Sequence, residues 1–163
     1  MVLHYKERGR YPLAGFMAER VAKLVNRNWG SADLEAVTFI PSPLRRRLSR
    51  GFAPAEILAR ETARRLGVPC RRALALRRTP SPQKGLTAAQ RKRNLRGVFR
   101  AIPKKLDAGM LLVDDVMTTG ATLREGARVL AAAGVKVRAA TFAMTLRRPL
   151  DLYSGVQAET PVP

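Results

Sequence analysis

The chain has one cysteine and one histidine among its 163 residues. A lone Cys70 excludes an internal disulfide and a cysteine-based zinc site, and a lone His4 excludes a histidine-rich metal centre. A reducing compartment suits such a chain. Acids are scarce too: 12 Asp and Glu stand against 31 Lys and Arg, a formal net charge of +19. That excess goes beyond what solubility requires and points to an anionic partner, whether a polyphosphate ligand, a nucleic acid or an acidic protein. Aromatics make up 6% of the chain, and near the basic segments only Phe52 and Phe99 occur, so base stacking and sequence-specific readout have little support. No apolar run approaches the roughly 18 residues that span a bilayer, and the N-terminus lacks the regions of a signal peptide. The expected location is the cytoplasm, without membrane insertion. No internal repeat occurs, and no Gly-x-x-x-x-Gly-Lys-[Ser/Thr] phosphate loop is present, which removes a Walker-type reading.

What is there suffices for one α/β domain. Apolar residues form 46% of the chain, enough for a compact core at this length. Residues 2–5 read as a short strand. From 12 to 26, Leu13, Phe16, Met17, Val21, Leu24 and Val25 recur at helical spacing. Residues 36–40 form a short buried strand stopped by Pro41-Ser42-Pro43, and 54–66 return to helix, ended by Gly67. A strand is expected at 70–76. Residues 77–105 carry Thr79-Pro80-Ser81-Pro82, many cations and no acid, so this stretch is expected to stay out of the core, with a short helix at 88–94 and a strand at 97–102. A strand at 110–113, a helix at 121–133 ended by Gly134, and a strand at 135–144 follow. This alternation predicts a mostly parallel twisted sheet flanked by helices, with right-handed crossovers. The tail, 147–163, has no assignable pattern.

The strongest motif is Leu111-Leu112-Val113-Asp114-Asp115-Val116-Met117-Thr118-Thr119-Gly120-Ala121-Thr122. It sets two carboxylates and a hydroxyl-rich turn between a buried strand and a helix, at the sheet edge where open α/β folds bind ligands. Two carboxylates leaving a strand end can accept from the vicinal hydroxyls of a ribose. Gly120 lets backbone approach closely, and the helix start offers N–H groups and a positive dipole end to a phosphate. Any single residue here could merely end a strand or cap a helix. The whole constellation suits a sugar phosphate.

The run is similar to the phosphoribosyl-pyrophosphate (PRPP) signature of type I phosphoribosyltransferases. That resemblance implies ribose binding by Asp114 and Asp115 and 5′-phosphate binding by Met117, Thr118, Thr119, Gly120, Ala121 and Thr122. Further matches narrow it. Pro41-Ser42-Pro43-Leu44, Arg47, Arg50-Gly51-Phe52 and Ala55-Glu56 resemble the pattern of the ComF-type competence proteins. Thr79, Gln83, Leu86, Arg91, Asn94, Gly97 and Phe99 follow that family's spacing, and Tyr5-Lys6 with Gly9 matches loosely. Ala53-Pro54 stands where the family usually has Asn-Gln, and the four-cysteine zinc ribbon of many members is not in this sequence.

The resemblance implies a single domain over 1–163, with a hood-like segment within 1–30 and two basic segments for pyrophosphate. Ser42, Pro43, Leu44, Arg45, Arg47 and Arg50 fall where the fold places its pyrophosphate loop, and Ser42-Pro43 is where a cis bond costs least. Lys84, Arg91, Lys92 and Arg93 fall where it places a flexible closing loop. Magnesium would arrive through the ligand's pyrophosphate, without direct protein ligands. Two functions fit the sequence. One is a PRPP-binding ComF-like protein, with pentosyl transfer as its reaction if it turns over and natural transformation and single-stranded DNA as its setting. The other is a non-catalytic nucleotide- or single-stranded-DNA-binding module acting through DNA-processing proteins, and a homodimer could form in either case. The acceptor base and any catalytic residue are unreadable, and Cys70 is read as a small apolar residue with no histidine to activate it.

Overall fold

The computed structural model describes residues 11–29, 33–79 and 88–144. The strand expected at 2–5, the match at Tyr5-Lys6 and Gly9, Lys84, and the 147–163 tail lie outside the described residues. The elements run α1 (Tyr11–Trp29), β1 (Ala36–Phe39), α2 (Leu44–Arg50), α3 (Pro54–Leu66), β2 (Leu74–Leu76), α4 (Ala88–Leu95), β3 (Phe99–Ala101), a 3-10 turn (Pro103–Lys105), β4 (Gly109–Met117), α5 (Ala121–Ala131) and β5 (Lys136–Met144).

β4 lies between β1 and β5, parallel to both, and Cys70 adds a parallel bridge to Val37 on the far side of β1. This is the mostly parallel sheet that the alternating pattern implies. Because side chains alternate along each strand, the sheet divides the core in two. Val37, Phe39, Leu111 and Val113 face α1 and α3, where Met17, Val21, Val25, Leu58 and Ala59 meet them. Ala36, Met110 and Leu112 face the other way, toward Leu123 and Leu130 of α5 and Leu74, Leu95, Val98 and Phe99.

Local sequence explains the helices well. α3 begins with Pro54 at its first turn, carries Glu56 there and Arg64 and Arg65 in its last turn, and ends at left-handed Gly67, whose N–H donates to Ala63 O. The helical spacing over residues 12–26 is realised as α1, which lies against α3 and β5 with Met17 and Val25 fully buried. Phe16 meets Phe142 of β5 edge-on, with ring centroids 6.3 Å apart, and the Arg20 guanidinium sits 5.2 Å from the Phe16 ring centre.

Several expectations need correction. β4 continues past Val113 through Met117, because its ladder with β5 pairs Asp114 with Thr141 and Met117 with Met144. The acidic pair is thus inside a strand and not beyond its end. β2 and β3 leave the parallel sheet and pair with each other as a separate antiparallel ribbon. The basic stretch expected outside the core supplies Leu95, Val98 and Phe99 to it, so charge content along a segment did not decide burial. Residues 44–50, read as loop, form α2, ending at left-handed Gly51. No described peptide bond is cis, so Ser42-Pro43 is trans.

β1 and β4 approach so closely at their start that a Cβ on Gly109 would collide with the backbone carbonyl of Asp33. Glu35 N–H also donates to Gly109 O at 2.9 Å. Gly109→Ala should therefore destabilise the protein by about 2 kcal/mol or more, since backbone must shift to admit a methyl group. Urea denaturation of the variant checks this, and an unchanged midpoint would contradict the packing.

Candidate functional site

The parallel register brings the ends of β1 and β4 together. Phe39 pairs with Val113, and Ile40 N–H donates to Val113 O at 3.1 Å. Pro41, Ser42 and Pro43 therefore leave the sheet beside Asp114. On the other flank, Thr141 of β5 stands opposite Asp114. The acidic pair and the start of the loop expected for pyrophosphate, Ser42 and Pro43, thus come to one sheet edge.

Asp114 and Asp115 point to opposite faces, as neighbours in a strand must. Asp114 shares its face with Leu112 and α5, and Asp115 shares its face with Val113 and is 8% exposed. The Asp114 carboxylate accepts the Asp115 N–H at 2.9 Å, which fixes it close to its own backbone. A ligand using both acids has to sit astride the edge.

Beyond Met117 the chain turns through Thr118 and Thr119 to Gly120, which has φ +67 and begins α5. Gly120 offers no capping side chain, and the Ala121 N–H donates to Thr119 Oγ1 at 3.4 Å. Donors and the positive dipole end therefore face the edge, as anion binding requires. A Cβ on Gly120 would lie 3.2 Å from Met117 Sδ and 3.3 Å from Arg124 Nη1. Arg124, which the sequence reading did not single out, donates to Thr119 O at 2.6 Å and places its guanidinium against the turn. Its position four residues into the helix, over the first turn, was the available signal.

The basic segments are on helices. Arg45, Arg47 and Arg50 belong to α2, and Arg91, Lys92 and Arg93 to α4. Arg45 and Arg93 are exposed, as is Leu44 at 66%. Between α2 and α3 opens a cavity of about 440 Å³ lined by Leu44, Leu48, Phe52, Glu56, Ile57 and Arg60. Ala53 and Pro54 start α3 with no side-chain cap, so the departure from the family's amide pair leaves no polar side chain at those two positions. Burial pushes the half-buried Cys70 thiol up from its ordinary value, which keeps it protonated and agrees with an unreactive role.

This geometry has a family. A model of the phosphoribosyl transferase domain matches residues 48–156. The chain belongs to that family. Competence protein F of Haemophilus influenzae is 33% identical over 106 residues, covering 63% of this chain and 46% of that protein. The DNA utilization protein YhgH of Salmonella typhi is 33% identical over 108 residues, covering 66% and 48%. The ComF-type resemblance is borne out, and the chain spans about half the length of these curated relatives. In fold, it is similar to an adenine phosphoribosyltransferase (TM-score 0.58, 11% identity, covering 82% of this chain and 71% of that one). It is also similar to the glutamine PRPP amidotransferase of B. subtilis (TM-score 0.51, 18% identity, covering 78% and 26%).

Within this phosphoribosyl transferase domain, Glu125 ties α5 to the basic segment. Its carboxylate is 9% exposed and accepts from Arg128 at 2.8 and 2.9 Å and from the Gly97 N–H at 2.8 Å. The Arg128 guanidinium, and then the Gly97 N–H, hold this carboxyl below its ordinary value of 4.5. A depressed carboxyl stabilises the fold above its unfolded value, and that contribution is lost as pH falls through the folded value. Glu125→Gln should cost about 1.5 kcal/mol at neutral pH, at the low end for charged hydrogen bonds because Arg128 is exposed. Unfolding midpoints of variant and wild type should converge as pH drops below 4.5; a constant gap would contradict the clamp.

Proposed function

We propose that the edge formed by Asp114, Asp115 and residues 117–122 binds PRPP or a related ribose 5-phosphate ester. The observation that carries this reading is one juxtaposition: two carboxylates on β4 and a helix start entered through left-handed Gly120, which has no side chain of its own, beside the loop that follows β1. The ribose straddles the edge, its vicinal hydroxyls donating to Asp114 and Asp115. Its 5′-phosphate takes N–H groups of the 118–122 turn, with the Arg124 guanidinium adding positive charge there. Pyrophosphate at C1 extends toward Ser42, Pro43 and the arginines of α2.

Magnesium fits this donor set. It keeps near-octahedral oxygen coordination, mostly from phosphates and water, and among the described residues no cluster of three His, Cys, Asp or Glu competes for it. When bound, it neutralises charge on the ligand's pyrophosphate. If the site turns over, the C1–O bond to pyrophosphate breaks, an acceptor nitrogen attacks C1, and the arginines of α2 and α4 stabilise the departing charge. The apolar pair Ala53-Pro54 favours a second reading, in which the ligand is bound without turnover. The setting we infer is cytoplasmic handling of incoming DNA, supported by the competence and DNA-utilization names of the curated relatives.

Calorimetry tests the binding reading. PRPP with magnesium should bind wild type, and the double variant Asp114→Asn, Asp115→Asn should bind more than tenfold weaker, or about 1.4 kcal/mol. Unchanged affinity would overturn the ribose assignment. Pyrophosphate release across a panel of nucleobases separates the two readings, and release with any one of them would favour the enzyme.

A further inference from the structure

No Asp or Glu occurs between residues 71 and 106. Within it lies the antiparallel ribbon of β2 and β3, three residues each, where Leu76 pairs with Phe99 and Ala75 with Arg100. Leu74, Leu76 and Phe99 turn into the core, which leaves Ala75, Arg77 and Arg100 on the outer face. Arg72 and Lys104 are exposed at one end of the ribbon and Arg96 near the other. Among the described residues, the acids that reach this unit are already engaged: Asp107 lies 3.7 Å from Arg71, and Glu125 is held by Arg128 and Gly97. Apart from Arg96, which lies within the field of Glu125, the surface is therefore a cationic strip whose charges no described acid offsets. Residues 72–77 span at most about 17 Å at roughly 3.3 Å per residue. That length faces a few successive phosphates of one strand.

We propose that the outer face of the β2–β3 ribbon binds the phosphodiester backbone of nucleic acid, at a surface separate from the ribose-phosphate edge. The ribbon's large apolar side chains face the core, so contact is to phosphates and is indifferent to base sequence. An acidic protein suits the strip less well, because no acid interrupts Arg72, Arg77, Arg100 and Lys104, which fits a uniformly charged polymer better than the mixed charges of a protein surface. The proposal gives the DNA-handling reading a surface and rests on that reading, but it is independent of PRPP binding.

The test measures binding of labelled single-stranded and duplex oligonucleotides of equal length over a salt series. The variant Arg77→Gln, Arg100→Gln, Lys104→Gln removes three charges from the ribbon. Its control, Lys23→Gln, Arg27→Gln, Arg64→Gln, removes three charges from α1 and α3, on the opposite layer, and reaches the same net charge. Binding of either oligonucleotide by wild type, with at least tenfold loss in the ribbon variant, supports the proposal. The log–log salt slope should also shrink by about 2 for the single strand, at 0.7 per phosphate contact, or nearly 3 for the duplex. Equal weakening in the two variants would overturn the ribbon assignment while leaving DNA binding in place. Competition by polyglutamate as effective as that by unlabelled oligonucleotide would overturn nucleic acid in favour of an acidic protein. No binding of either oligonucleotide at low salt would remove the DNA-handling reading as well, with PRPP calorimetry unaffected.

Discussion

The parallel pairing of β4 between β1 and β5 is the constraint on which the site depends. Backbone hydrogen bonds fix which residues end side by side, and the register places the exit of β1 beside Asp114 and Thr141 across from it. A shift of one residue would exchange the faces of Asp114 and Asp115 and turn Leu111 and Leu112 out of their separate cores. Gly109, pressed against the Asp33 carbonyl, and the ion pair of Lys136 with Asp33 at 2.7 Å hold the opposite end of the same ladders. Packing at one end of the sheet thus sets chemistry at the other.

From that edge the elements divide the work. β4 carries the acids, α5 begins at left-handed Gly120 just past them, and α2 and α4 carry the basic segments. Glu125 connects two of these, since it sits one turn into α5 and grips Gly97 between α4 and β3. The start of α5 is thus tied by one hydrogen bond to the turn that follows the segment bearing Arg91, Lys92 and Arg93. The ribbon beyond Gly97 adds exposed cations of its own, Arg100 and Lys104 among them.

Much of this was legible from residue pattern. Pro54 and Gly67 bracket α3 at the expected positions, β1 stops before its prolines, and α5 follows the threonine turn. These elements carry their own start and stop signals. The misreadings share a physical origin. β4 was ended at Val113 because its apolar run ends there, yet strand pairing belongs to the backbone and runs on through two aspartates. β2 and β3, three residues each, are too short to show a period, and their antiparallel partnership is a tertiary fact. α2 was missed because four arginines outweighed its helix-forming composition and the closing Gly51. Arg124 and Glu125 had no motif to mark them; their roles come from where α5 lies.

The central claim is that ribose and 5′-phosphate are held at the edge of β4 and the start of α5. The most direct measurement is a titration of PRPP and magnesium followed by backbone amide resonances of the labelled protein. The account predicts that the largest shifts fall on Asp114, Asp115 and the amides of residues 118–122. Saturable shifts confined to other elements, with those amides unmoved, would contradict it.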